Sequence, residues 1–417
     1  MYRTAVVCLA LALVMPATGF AAPAEILTLR EAIARVQAVG FDIRAARGDA
    51  ETARADAGTA RSATQPQIGI SAVGLVANEP QLGMPIAQQL YGQALLTVPV
   101  FAPATWAAAR AAAKNAAAAA TAVDATVNDA VFAAVQAYRR AQLGDAVLAA
   151  RGSAVQAQRD HLRLSEVRVA TGKAPRYILA RDRAMLAVAL QAQEGAAAER
   201  DEAHNDLAAL LDLNGNLAVE PLATAGFDET LATLTPRALK QRPSLIAAER
   251  QVEAAQASLT AARAAYLPNA SLTAQSYNGV SSPDLGRAGG QIQLAATLPI
   301  LDGGNRAAAI ERARGGLDHA TAMRDQMRRG VARDVADAFR ELQAAQRNLA
   351  TAQAAQADAD EQYRVALLRE SARKAIELEV LDALAVAANA HEGVLRALAR
   401  YDDAVAAVHH AAGDPNV

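Results

Sequence analysis

The chain of 417 residues holds a single cysteine, a single tryptophan and few aromatic residues of any kind. One cysteine, Cys8, excludes a disulfide within the chain. Aromatics at 4% leave little for a bulky globular core, whereas the abundant alanine suits helices packed at close range. Neither sign of charge prevails: 41 Lys and Arg stand against 43 Asp and Glu, and nothing in that balance asks for nucleic acid. Beyond the first 21 residues no apolar run approaches the ~20 residues of a membrane-spanning helix. Those first residues read as a secretory leader. Arg3 is its charged start, Ala5 to Met15 its apolar run, and Gly19-Phe20-Ala21 its small-x-small cleavage site. Cys8 lies inside that leader after Val7, which is too large for a lipidation site. The mature chain is therefore expected to carry no cysteine, no disulfide and no lipid anchor.

Strand character comes from two stretches of period two. After Pro268, Ala270, Leu272, Ala274 and Ser276 alternate with Asn269, Ser271, Thr273 and Gln275. A Gly- and Ser-rich turn follows, and then Ile292, Leu294, Ala296 and Leu298 alternate with Gln291, Gln293, Ala295 and Thr297. Period two with one apolar and one polar face predicts a hairpin. Neither strand carries a charge, and each has about the ten residues that cross a bilayer as a tilted strand. A soluble sheet usually puts charge on its wet face. Gln, Thr, Ser and Asn suit a water-filled lumen backed by lipid instead. The polar positions Asn269, Ser271, Thr273, Gln275, Gln291, Gln293 and Thr297 are thus expected to line a lumen.

A second copy of the pattern lies upstream, from Gln65 to Pro103. Pro66 precedes Pro268 by 202 residues, and Thr97-Val98-Pro99 precedes Thr297-Leu298-Pro299 by 200. Gln93 matches Gln293, so Gln93 and Thr97 join the expected lumen. An internal duplication of about 200 residues organises the chain. The reading is a leader at 1–21, a first helix–hairpin–helix repeat at 22–213, a linker at 214–235, a second repeat at 236–411 and a tail at 412–417. Strands are expected near 66–77, 88–99, 268–278 and 290–299. One helix is expected from Thr28 to about Thr64, opened by a Thr28/Glu31 capping box, and its counterpart from Pro236 to Tyr266. Each hairpin should be followed by a helix about 100 Å long. These helices run from Ala104 to about Ala170 and from Asn305 to about Glu370, and each is followed by a break and a returning helix. On the long helices Val331, Val335, Ala338, Leu342, Ala345 and Leu349 step by four and three, as do Val127, Val131, Ala134, Tyr138 and Ala141. That is the seam of helices packed side by side.

Four strands cannot close a barrel, and open strand edges are not tolerated in lipid. The smallest membrane barrels have eight strands, so copies of the chain must combine, two giving eight strands or three giving twelve. The helices must leave that barrel on one side. Phe101, Trp106 and Tyr266 fall at the junction, as an aromatic belt or as core packing at a helix corner.

The doubled helix–hairpin–helix repeat, Leu267-Pro268 before a hairpin, LPILDGG before a long helix and Leu378-Glu379-Val380-Leu381-Asp382-Ala383 after it resemble the TolC-type outer membrane efflux proteins. The likeness covers nearly all of the mature chain, and the order and doubled spacing of the motifs make it specific. It implies a mostly α fold with a membrane β-barrel. A homotrimer would build one twelve-stranded barrel, continued by a coiled-coil tunnel across the periplasm with a mixed α/β belt around it. It implies outer membrane lipid around the barrel, a periplasmic adaptor at the tunnel's far end, and an inner-membrane pump of RND, MFS or ABC type beyond. No cofactor is implied. Two departures stand out: Arg373 occupies a turn where the family often has Gly, as Gly172 does in the first repeat, and the short linker and tail suggest a reduced belt.

The resemblance carries a periplasmic gate onto Glu379 and Asp382, with Arg373, Lys374 and Arg181 as candidate partners. Three residues apart, the two carboxylates share a helix face, and three copies would form stacked anionic rings. The alternative is an ordinary solvated face. Gly172, Lys173, Ser371 and Arg373, at the two helix turns, are the expected adaptor contacts; plain turn chemistry is their competing explanation. No enzyme is expected. His391-Glu392 lacks a second His at 395, which is Leu; His409-His410 stand near a frayed end as a poor metal site; and Gly303-Gly304 is followed by Asn305, read as a helix cap, without the Lys-Ser/Thr of a phosphate loop. The function expected is an exit duct for small molecules, with protein secretion as the alternative use of the same architecture. A periplasmic coiled-coil adaptor is the reading from a different class.

Overall fold

Thr28 starts the first helix with its hydroxyl accepting from Glu31 N, while the Glu31 carboxylate takes the Thr28 N–H at 2.8 Å, a reciprocal cap. This computed structural model describes residues 26–77, 87–213, 217–223, 226–279, 289–372, 374 and 377–414. The expected leader and Arg373 lie outside them.

Where one helix is expected from Thr28 to Thr64 there are two, α1 (Leu29–Val39) and α2 (Phe41–Ser62), broken at Gly40. The second repeat has the same break: α5 (Leu231–Gln241) and α6 (Pro243–Ala264) meet at Arg242. Arg242 is extended because the residue before a proline is pushed out of the helical region. Gly40 adopts nearly the same backbone without a proline behind it. The second helix also starts earlier than expected, so that Pro236 lies inside α5. Burial of Leu234 and Ala238 on either side of Pro236 offsets the hydrogen bond that proline cannot make.

The strands β2 (Gln67–Ala77), β3 (Ala87–Phe101), β5 (Asn269–Gly279) and β6 (Gly289–Thr297) form one antiparallel sheet in the order β2-β3-β5-β6. The two hairpins therefore pair with each other through β3 and β5, and β2 and β6 are its edges. A bulge between Pro99 and Phe101 shifts the register where β3 leaves the sheet. The long helices α3 (Pro103–Ala170) and α7 (Asn305–Ser371) return as α4 (Tyr177–Leu210) and α8 (Glu377–Ala412). Next to the sheet the helices lie in the order α2-α3-α6-α7, and beyond the equator α4-α3-α8-α7. One layer of helices thus continues the layer of strands, with α7 along one edge throughout and α2 then α4 along the other. The Ala-rich α3 contains an 18-residue window apolar enough to cross a membrane, which corrects the expectation of none; alanine supplies that apolarity, and α3 packs among α2, α4, α6 and α8.

Two cores sit at the equator, one per repeat. Val131, Val135, Tyr138 and Leu207 bury with Val36 of α1, and Val331, Val335, Leu342 and Val405 with Leu234 of α5. The equatorial belt adds a two-stranded parallel sheet, β1 (Ile26–Leu27) with β4 (Ala218–Val219). Tyr138, 1% exposed, fastens it to α3: its hydroxyl donates to Leu27 O at 2.8 Å and accepts from Glu220 N at 3.1 Å. Two glycines are required by close approach. A side chain at Gly144 would meet the Arg200 backbone of α4 at 2.9 Å, and Gly413, at φ 77°, closes the end of α8 against the Arg242 backbone.

Candidate functional site

In an antiparallel pair, residues directly opposite share a face. The register sets Gln67, Thr97, Thr273 and Gln293 in one row across all four strands, and Gln275 and Gln291 in the next. Ser71–Gln93, Ser271–Ala295 and Asn269–Thr297 continue the same face. All nine polar positions expected to line a lumen fall on it. They bond across strands: Gln291 Nε2 donates to Gln275 Oε1 at 3.1 Å, and Thr273 Oγ1 to Gln293 O at 3.4 Å. The opposite face carries Ile68, Leu96, Ala274 and Ile292 in one row, and Val98, Leu272 and Leu294 in another. Ile70 and Ile292 on it are 87% and 78% exposed. A sheet with one uncharged polar face, one exposed apolar face and two unpaired edges is unstable in water as a single copy.

The sheet meets the helices through a cluster that the sequence only half reveals. Asp302 accepts from Gly304 N, from Arg306 N at 2.9 Å and from Arg306 Nε at 2.7 Å. Asp302, and not the expected Asn305, therefore caps α7, whose N-cap Gly304 is left-handed. The Arg306 guanidinium, followed by these backbone donors, holds the Asp302 carboxyl below the usual carboxylate range. Arg306 also donates to Pro299 O at 2.6 Å and lies over the Tyr266 ring at 4.5 Å. Phe101 and Trp106 pack edge to face at 6.0 Å at the same level. An Asp-Gly-Gly turn is a legible cap signal; the arginine that locks the strand end to the helix is not.

At the far end, the α3–α4 turn closes with Lys173 N donating to Arg168 O at 2.7 Å and Gly172 at φ 69°. In the α7–α8 turn Lys374 N donates to Arg369 O at 2.8 Å. Gly172, Lys173 and Lys374 are exposed, and exposed Ser371 donates to Leu368 O. Glu379 and Asp382 are both exposed on α8, while Val380, Leu381 and Ala383 between and beside them are buried. Among the described residues the cation beside Glu379 is Arg369, at 3.3 Å, a residue that sequence reasoning missed. Arg181 pairs with buried Asp182 at 3.0 Å. Asp382 has no ion pair among the described residues. Arg168 of α3 reaches Glu370 of α7 at 2.5 Å, so the two turns of one chain are tied together.

Further up, the seam between the repeats is fixed by α3 arginines meeting α8 carboxylates: Arg151 with Glu392, and Arg139 with Asp402 at 3.5 Å. Asp403 lies beside this second pair, and burial pushes its carboxyl up to about 6 against the pull of Arg140 and Arg139. His409 and His410 are engaged elsewhere: His410 contacts Asp129 at 2.7 Å and stacks on Phe132, and His409 packs against Phe227. Among the described residues no group of three or more His, Cys, Asp or Glu could hold a metal ion.

Residues 234–414 match the family model for outer membrane efflux proteins. The chain is 30% identical over 157 residues to the outer membrane protein OprJ of Pseudomonas aeruginosa, a match covering 35% of this chain and 32% of OprJ. It thus spans about a third of that relative's length. Among solved structures, the CusC channel superposes with a TM-score of 0.82 at 19% identity, over 92% of each chain. The CmeC outer membrane channel of Campylobacter jejuni gives 0.82 at 19%, over 93% of this chain and 86% of that one. The VceC outer membrane protein of Vibrio cholerae gives 0.78 at 21%, over 92% and 96%.

Proposed function

We infer that this chain, whose second repeat belongs to the outer membrane efflux protein family, is the exit duct of a tripartite export system. The observation that carries the reading is the four-stranded sheet. Its polar face is free of charge among the described residues, its apolar face is bare, and both its edges are open. Lipid accounts for the apolar face, water in a pore for the polar one, and sister chains for the edges. The helical layer continues the sheet for about 100 Å, enough to carry the pore through the periplasm. Three copies complete a twelve-stranded barrel and a tunnel of matching girth. The turns around Gly172, Lys173 and Ser371 face a periplasmic adaptor, and an inner-membrane pump loads the duct with small molecules. Family and fold are those of channels, which agrees with a conduit that performs no chemistry on its cargo.

Glu379 and Asp382 form the gate in this reading. Threefold repetition stacks six carboxylates around the axis, and Arg369 holds Glu379 from within the same hairpin. The test is single-channel conductance in planar bilayers. The wild-type protein should form cation-selective pores, and Glu379→Ala combined with Asp382→Ala should raise conductance several-fold and weaken the selectivity. Pores whose conductance and selectivity ignore the double substitution would remove the gate; failure to form pores at all would remove the duct.

A further inference from the structure

The duplication makes a stronger statement about the seam between copies than the open edges alone. The turns that close α3 and α7 align at an offset of 201 residues, Arg168 and Lys173 against Arg369 and Lys374. The returning helices keep that offset, since Leu207 of α4 and Leu211 at its end match Val408 and Ala412 of α8, all four fully buried. Under this equivalence Arg139 of α3 corresponds to Arg340 of α7, and Asp402-Asp403 of α8 to Asp201-Glu202 of α4.

Within the chain, α3 of the first repeat meets α8 of the second, and Arg139 pairs with Asp402 there. Their side chains are 13% and 0% exposed because the two repeats cover them. The equivalents sit on the two uncovered edges of the same layer. Arg340 lies on α7 opposite the face of Val335, Leu342 and Ala345, with its side chain 72% exposed, and its ion pair among the described residues is with Asp337 one turn back. Asp201 lies on α4, 63% exposed, with Arg200 beside it as its cation. Glu202 is exposed and has no ion pair among the described residues. Arg329, Arg333 and Arg347 extend the basic edge of α7 along the helix face that bears Arg340, all exposed. Glu194 adds to the acidic edge of α4.

We propose that the seam between copies repeats the seam within the chain: Arg340 of one protomer pairs with Asp201 and Glu202 of its neighbour, at the height where Arg139 meets Asp402. The occupant of each edge is a second copy of this chain. One edge is basic and the other acidic at the same level, so the contact is head-to-tail and closes into a ring. Assembly covers these charges as the repeats cover theirs, and their local contacts with Asp337 and Arg200 serve only until a neighbour arrives. The pairing rests on the trimeric reading above and adds to it the residues that set register and partner choice.

Two other helices separate α4 from α7 in the layer, so Arg340 and Asp201 of one protomer stand on the order of 30 Å apart at ordinary helix spacing. A short bismaleimide can therefore join these positions only between chains. The test uses the full chain carrying Cys8→Ser, Arg340→Cys and Asp201→Cys, treated in mild detergent after its mass has been measured by light scattering. The proposal expects a three-chain particle, covalent two- and three-chain bands on a denaturing gel, and at least tenfold less of them from either single-cysteine chain. A three-chain particle without covalent bands would overturn the pairing and leave the trimer standing. A one-chain particle would overturn both.

Discussion

Asp403 shows how a single residue records the cost of building the equator. Burial raises its carboxyl to about 6 from an ordinary 3.8, with Asp402 on its own helix adding to the rise and Arg140 and Arg139 of α3 opposing it. Between those values the folded chain holds a proton that the unfolded chain has lost, so stability falls as pH rises through that window. Asp403→Asn removes the penalty. Thermal melting in detergent should show the variant more stable at pH 7, by on the order of 2 kcal/mol, with little difference at pH 4. An equal effect at both pH values would mean that the carboxyl is not strained. Residues of this kind were hard to read in advance. Arg139 and Asp402 are 263 positions apart, and nothing in a local pattern joins them. Arg306 and Arg369 act over shorter spans, across a turn, and were missed because a lone arginine beside a turn does not declare its partner; Glu379 and Asp382 were singled out through the family resemblance, and their shared helix face follows from their spacing.

At the scale of elements, period two in uncharged stretches was enough to find the strands, and the register puts every expected lumen position on one face. The long helices were legible from their unbroken four-three steps. The break at Arg242 is written in Pro243, which pushes the residue before it out of the helical region, and was passed over. The break at Gly40 was not legible, since a glycine inside a helical period is usually tolerated. Packing of α1 on the equatorial core decides it. The two seams between helices also yield a prediction. Arg139→Ala takes a cation away from buried Asp402 and should cost the protomer several-fold more stability than a surface pair does, on the order of 3 kcal/mol. Arg340→Ala, on an open edge, should cost the protomer at most about 1 kcal/mol and act mainly on assembly. Melting of tertiary structure compared with loss of the oligomer's mass on heating would separate the two. Equal effects of both substitutions on protomer melting would contradict the assignment of inner and outer seams.

At the scale of the whole molecule, one chain is an incomplete wall. Its strand layer and its helix layer share the same two edges, so whatever closes one closes the other. The bare apolar rows of the sheet and the charged edges of α7 and α4 lie at different heights of the same wall, as a duct with lipid around one end and sister chains along its sides would require. The leader expected at residues 1–21 agrees with a protein that must cross one membrane to reach the next. The most direct measurement is the mass of the particle extracted from outer membranes in mild detergent, by light scattering with the detergent subtracted. The account predicts three chains per particle and no release of the protein by salt or alkali alone; a single chain that stays monodisperse in water without detergent would contradict it.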